Sequence, residues 1–228
     1  MPDEESNAAQ EIAKTIGKGI DACRELGGFF SMVCGDALKE LGGTLTDQLK
    51  YYRYKRLLKM WDEIAAIHKA RGVEGKTIPI SLKYAIPMIE NLSLEDDESV
   101  QDLWAGLIAN ATDPDKRFQI KKVYIDILSS LEPLDAMILK FLSKQGWNII
   151  PGPHSPGFNS ERISAELDIQ ICDVEISLQN LFRLDCITGE YAAFIDTSKV
   201  STGLNVRDKN VVCRLSVLGT SLLNACEV

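Results

Sequence analysis

Apolar side chains return at three- and four-residue intervals through the N-terminal part of this chain. From Glu11 onward Ile12, Ile16, Ile20, Cys23, Leu26, Phe30, Cys34, Leu38, Leu41, Leu45 and Leu49 form one such series. A period near 3.6 puts them on a single stripe of an α-helix, whereas a half-buried strand would need strict alternation. The chain is therefore committed to helices that bury a face against one another. Gly42-Gly43 followed by Thr44 divides the series, because paired glycines weaken a helix and a threonine hydroxyl can accept the orphan amides of the next one. A second helix is expected through Tyr51-Tyr52-Arg53-Tyr54-Lys55-Arg56 and Trp61 to Arg71, ending at Gly72, which suits a left-handed C-terminal cap.

Further along, Pro79 and Pro87 bracket a shorter helix that begins near Ser81. Ser93-Leu94-Glu95-Asp96 has the shape of a capping box and predicts a helix from Leu94 to Ala111, stopped by Thr112-Asp113-Pro114. Val100, Leu103, Trp104, Leu107, Ile108 and Ala111 share one face of it, so Trp104 is expected in the core. Ile120 to Leu131 and Leu134 to Ser143 add two amphipathic segments on either side of Glu132-Pro133. Turn formers fill Trp147 to Gly157. Ser160 is then expected to cap a helix over Glu161 to Leu167, and Asp173 one over Val174 to Leu184. Strand-like Ala192 to Ile195 and Val211 to Leu218 flank a polar stretch, and a last helix is expected from Gly219 to Cys226. Three helices followed by two strands resemble a winged helix-turn-helix. The expectation is a mainly α fold, with an elongated N-terminal helical domain over residues 1–130 and a small winged-helix-like α+β domain over residues 131–228.

Charge narrows what such a domain can bind. The 228 residues carry 25 Lys and Arg against 33 Asp and Glu, a net of −8, which opposes extensive phosphate contact. From Leu131 onward there are eight basic and twelve acidic residues, a net of −4. The third helix of the winged module, the one that would enter a DNA groove, opens with Asp173 and Glu175 and offers only Arg183 as a cation. A protein-facing or structural winged helix is expected, with a DNA-binding regulator as the alternative. The six cysteines, Cys23, Cys34, Cys172, Cys186, Cys213 and Cys226, form no C-x-x-C pair and read as reduced core thiols. The opening residues MPDEESNAAQE are acidic rather than signal-like, and no apolar run reaches the ~18 residues of a spanning helix, so a cytoplasmic location is expected.

Gly28, Gly35 and Gly42 recur every seven residues and would leave a line free of side chains. Close packing against a neighbouring helix explains that line; Phe29 and Phe30 beside it also suit a homotypic or membrane-associated pair, although Asp21, Arg24, Glu25, Asp36, Lys39 and Glu40 oppose full insertion. Tyr52, Arg53, Lys55 and Arg56 interleave aromatic and basic groups, as a solvated helix face does and as a surface for an anionic partner does. Glu95, Asp96, Asp97, Glu98 and Asp102 suit a helix start better than a metal site. His68 and His154 stand in no catalytic motif, and no phosphate-binding glycine loop occurs, so neither enzyme activity nor a cofactor is expected.

Three stretches resemble the abortive infection alpha family of bacterial proteins. They are Leu26-Gly27-Gly28-Phe29-Phe30 leading to Tyr52-Arg53-Tyr54-Lys55, then Leu92-Ser93-Leu94-Glu95-Asp96-Asp97 into Leu103-Trp104-Ala105-Gly106-Leu107-Ile108-Ala109-Asn110-Ala111, and Leu131-Glu132-Pro133-Leu134-Asp135-Ala136. Gly106 departs from the polar residue expected there in relatives. The resemblance implies a phage-defence protein that supplies no catalytic residue to carry over. It would work through a protein partner, either itself or a phage or host protein, or through peripheral contact with the inner membrane.

Overall fold

The structure, a computed structural model, describes residues 47–116, 119–144, 158–191 and 211–227. Gly28, Phe29, Phe30, Gly35, Gly42 and the helix expected before Gly42 lie outside them. In chain order the described elements are α1 Asp47–Arg71, α2 Leu82–Leu94, α3 Glu98–Thr112, α4 Lys122–Leu128, α5 Pro133–Lys144, α6 Ser160–Leu167, α7 Ile171–Arg183, β1 Ile187–Tyr191, β2 Val211–Leu215 and α8 Val217–Cys226. The protein is mainly helical, with a small two-stranded antiparallel sheet among the described residues. None of these helices is long and apolar enough to cross a membrane. The chain divides into two compact units, one formed by Met1–Ser129 with Cys226–Val228 and the other by Ser130–Ala225.

In the first unit α1 packs on both α2 and α3. Leu57, Met60, Trp61 and Ile64, spaced along one face of α1, are buried with Ala85, Met88, Ile89 and Leu92 of α2. Helix α3 is buried almost all round, as its nearly unbroken apolar sequence demands, and Trp104 is 1% exposed within it. Gly72 takes φ +70, and bonds from Gly72 N to Lys69 O (3.1 Å) and from Val73 N to His68 O (3.1 Å) make a Schellman closure of α1. Gly106 has a different purpose. A Cβ there would fall 1.9 Å from the carbonyl oxygen of Cys226, so only glycine lets the C-terminal residues lie this close to α3. One turn on, Asn110 Nδ2 donates to Glu227 O at 3.0 Å and holds the same strand of backbone.

The cap of α3 differs from the expected one. Ser93 belongs to the last turn of α2, where its hydroxyl donates to Glu90 O, and α3 starts at Glu98 under Asp97. Asp97 Oδ1 accepts from Ser99 N at 2.8 Å and Val100 N at 3.2 Å. Both segments contain a capping residue; α2 runs on because Leu92 completes its buried face.

In the second unit α5, α6 and α7 precede the hairpin β1–β2, whose register runs from Ile187↔Leu215 to Tyr191↔Val211. Phe158, between α5 and α6, exchanges two backbone bonds with Cys213 of β2. The first strand lies ahead of the expected Ala192 to Ile195, which falls outside the described residues, because buried Cys186 and Ile187 already extend the core. Strand β2 stops at Leu215 since Ser216 turns the chain: its hydroxyl accepts from Gly219 N at 2.8 Å and opens α8 at Val217 rather than at Gly219. Likewise Asn159, accepting from Arg162 N at 3.0 Å, caps α6 in place of Ser160. Helix α7 opens at Ile171 and leaves Asp173 in its first turn. Cys186, Cys213 and Cys226 are buried, while Cys172 is exposed and so is no core thiol. Burial pushes the Cys186 thiol up to about 12 and that of Cys213 to about 11, which leaves both unreactive.

Candidate functional site

The second unit carries an open groove of about 640 Å3 between the start of α5 and one stripe of α7. Pro133 opens α5, where a missing N–H costs nothing, and Asp135 stands two residues later in the first turn. Asp135 is 1% exposed. Its Oδ2 accepts from Glu132 N at 2.9 Å and from Asn180 Nδ2 at 2.6 Å, and its Oδ1 accepts from the Ser177 hydroxyl. All three neighbours donate, so the carboxylate acts only as an acceptor, and a buried acid at a helix N-terminus is satisfied in this way. Asn180 Nδ2 also reaches Ser130 O at 3.0 Å, and Asn180 Oδ1 receives Arg183 Nη2 at 2.7 Å and Nε at 3.2 Å. One connected network thus joins α5 to α7. Ser177 and Asp135 are both buried at the groove wall, and their bond joins α7 to α5.

The stripe of α7 that faces the groove is Asp173, Ile176, Ser177, Asn180 and Arg183, while Val174, Leu178 and Leu181 fill the core on the opposite side. Ile176 is 62% exposed. Neither Glu132 nor Asp173 forms an ion pair with a described residue. The groove can therefore grip an apolar side chain and present carboxylates around it.

The basic residues singled out from sequence are placed elsewhere. Arg53 donates through Nε (2.9 Å) and Nη2 (2.7 Å) to Ser93 Oγ, and Arg56 donates to Leu94 O (2.8 Å) and Asp96 Oδ2 (3.2 Å). Lys59 continues the row with Glu98 at 3.1 Å. These cations brace the α2–α3 corner of their own unit. Tyr52, 60% exposed, and Lys55 point outward on α1. The groove was not visible among the sequence candidates. Its traces were Pro133 with an acid two positions on and polar residues at Asp173, Ser177 and Asn180, spaced to share one helix face.

A second polar cluster lies inside the first unit. Thr112 Oγ1 donates to Ile108 O at 2.7 Å, so His68 Nε2 donates to Thr112 Oγ1 at 3.0 Å and lies 3.3 Å from Ala109 O. His68 Nδ1 is buried with no partner among the described residues. Burial holds the imidazole below its ordinary pKa, because a proton on Nδ1 would add a charge with no acceptor. Arg71 and Asp113 close the cluster with an ion pair of 3.3 Å.

A family model described as Abortive infection alpha matches residues 52–226 of this chain, a range that takes in part of the first unit and all of the second. No curated protein and no solved structure matches it.

Proposed function

Because the chain belongs to the abortive infection alpha family, we propose that it is a phage-defence protein that works by gripping another protein rather than by catalysis. The second unit is a winged-helix module in this reading. Supporting that are the order α5, α6, α7, β1, β2 and the bridge by which Phe158, placed between the first two helices, adds to the sheet at Cys213. The observation that carries the protein-binding role is Ile176, exposed at the middle of the third helix between Asp173 and Arg183. A helix that read DNA would present cations and amides there, and duplex phosphates would meet Asp173 instead.

The test is expression in a susceptible bacterial host challenged with a phage panel, scored as plaquing efficiency, survival and membrane potential. Wild type should lower plaquing, and Ile176→Asp should lose the protection while its melting temperature stays unchanged. Full protection by Ile176→Asp would remove α7 from the mechanism. A sequence-selective nanomolar shift of duplex DNA at physiological salt would replace this reading with the regulator.

A further inference from the structure

The α5–α7 groove has a charge pattern that specifies its occupant more closely than an apolar contact alone. Three carboxylates border it, those of Glu132, Asp135 and Asp173, against one guanidinium, that of Arg183. Asp135 is held by the Ser177 hydroxyl, Asn180 Nδ2 and Glu132 N, which are neutral donors, and pairs with no cation among the described residues. Glu132 and Asp173 are exposed and have no described basic partner. Arg183 leans on Asn180 at one end of the stripe, ten residues from Asp173 and thus about 15 Å along the helix. Between them Ile176 stands open to solvent. An exposed apolar side chain bordered by carboxylates that have no described cation partner is complementary to an apolar side chain flanked by cations.

We propose that this groove binds a polypeptide segment in which one aliphatic or aromatic residue is flanked by lysines or arginines. The inference rests on the protein-binding reading above and adds the chemistry of the partner. The apolar residue sits against Ile176 and Leu134, and its flanking cations face Asp173 at one end and Glu132 at the other. The first unit supplies the contrast: there the exposed acids Asp96 and Glu98 already have Arg56 and Lys59.

The experiment is fluorescence anisotropy of the full chain with a labelled short peptide that carries one central leucine between lysines in a glycine–serine background. Two control peptides replace the lysines by glutamates or the leucine by alanine. The lysine–leucine peptide should bind in the micromolar range, about tenfold or more tighter than either control. Ile176→Asp and Asp173→Lys, both at exposed positions, should each weaken it about tenfold. Arg183→Gln, which removes the cation that opposes the peptide and keeps a donor for Asn180, should tighten it by about threefold. Binding should fall with added salt.

Absence of binding, equal binding of the glutamate peptide, or binding indifferent to Asp173→Lys and Arg183→Gln would overturn the cationic partner. Phage protection of the same variants separates this from the broader reading. Ile176→Asp that is folded and unprotective while no peptide binds leaves α7 as the partner surface and rejects only the proposed chemistry. Peptide binding with Ile176→Asp still protective rejects the defence role of the surface instead.

Discussion

The two units treat their charged side chains in opposite ways. At the α2–α3 corner of the first, Arg53, Arg56 and Lys59 bond to Ser93, Leu94 O, Asp96 and Glu98, so these cations are engaged by their own chain. At the α5–α7 groove of the second, a buried carboxylate is satisfied by neutral donors and two exposed ones have no basic partner among the described residues. Arg53 and Arg56 thus have bonding partners within their own unit, while Tyr52 and Lys55 beside them stay exposed. The informative feature is charge that the chain itself leaves uncompensated, next to an apolar residue that water surrounds.

The largest loss of stability is expected in the core of the first unit. Trp104→Ala should lower stability by about 3–5 kcal/mol, since it removes a fully buried indole from a helix packed on all sides. The chemical-denaturation midpoint reads this directly, and phage protection should fall in step with soluble protein. A stable but unprotective variant would move Trp104 from core to functional surface. In the second unit, Asp135→Ala should cost about 2–3 kcal/mol, because Ser177, Asn180 and Glu132 N lose their common acceptor. Asp135→Asn should recover part of that loss. An unchanged midpoint for both would mean that the network is not what joins α5 to α7.

Gly106→Ala sharpens the contrast within the first unit. Its Cβ would collide with backbone rather than with a flexible side chain, so a loss of about 1–3 kcal/mol is expected, along with faster hydrogen exchange of the C-terminal residues. An exposed helical glycine would instead gain stability on the same change. His68 gives a pH signature. Its folded pKa lies below the ordinary value of 6.5, so its contribution is fully present above about pH 6.5 and is lost as pH falls from there through the folded value. Stability against pH should therefore decline on that acidic side, and His68→Gln should flatten the decline. The smallest effect belongs to Arg56→Ala. The ion pair with Asp96 is exposed, and the expected loss is about 1 kcal/mol or less, shrinking in high salt.

Much of the helical framework was legible because it depends on local rules. The burial of Trp104 with Val100, Leu103, Leu107, Ile108 and Ala111 followed from periodicity, and the end of α1 followed from Gly72. Capping was legible only in part. Ser93 and Asp97 are both acceptable caps, Asn159 and Ser160 are equally so, and local chemistry does not rank them. The burial of Leu92 and of Ser160 decided between them.

By itself, then, the amino-acid sequence determined the order of helices and their apolar faces, the net negative charge of the chain and its family, since each is a property of neighbouring residues or of composition. Tertiary structure alone decided that Asp135 meets Ser177 and Asn180, 42 and 45 positions away, and that His68 meets Thr112 across 44. It also decided that Gly106 is a landing place for the C-terminal backbone and that Arg56 meets Leu94 O and Asp96 while Asp173 faces the groove. The physical reason is that an apolar side chain gains from any dry neighbour, so burial can be read from spacing. A hydrogen bond or ion pair gains only from one partner at one distance, and that partner is chosen by how the helices lie against each other.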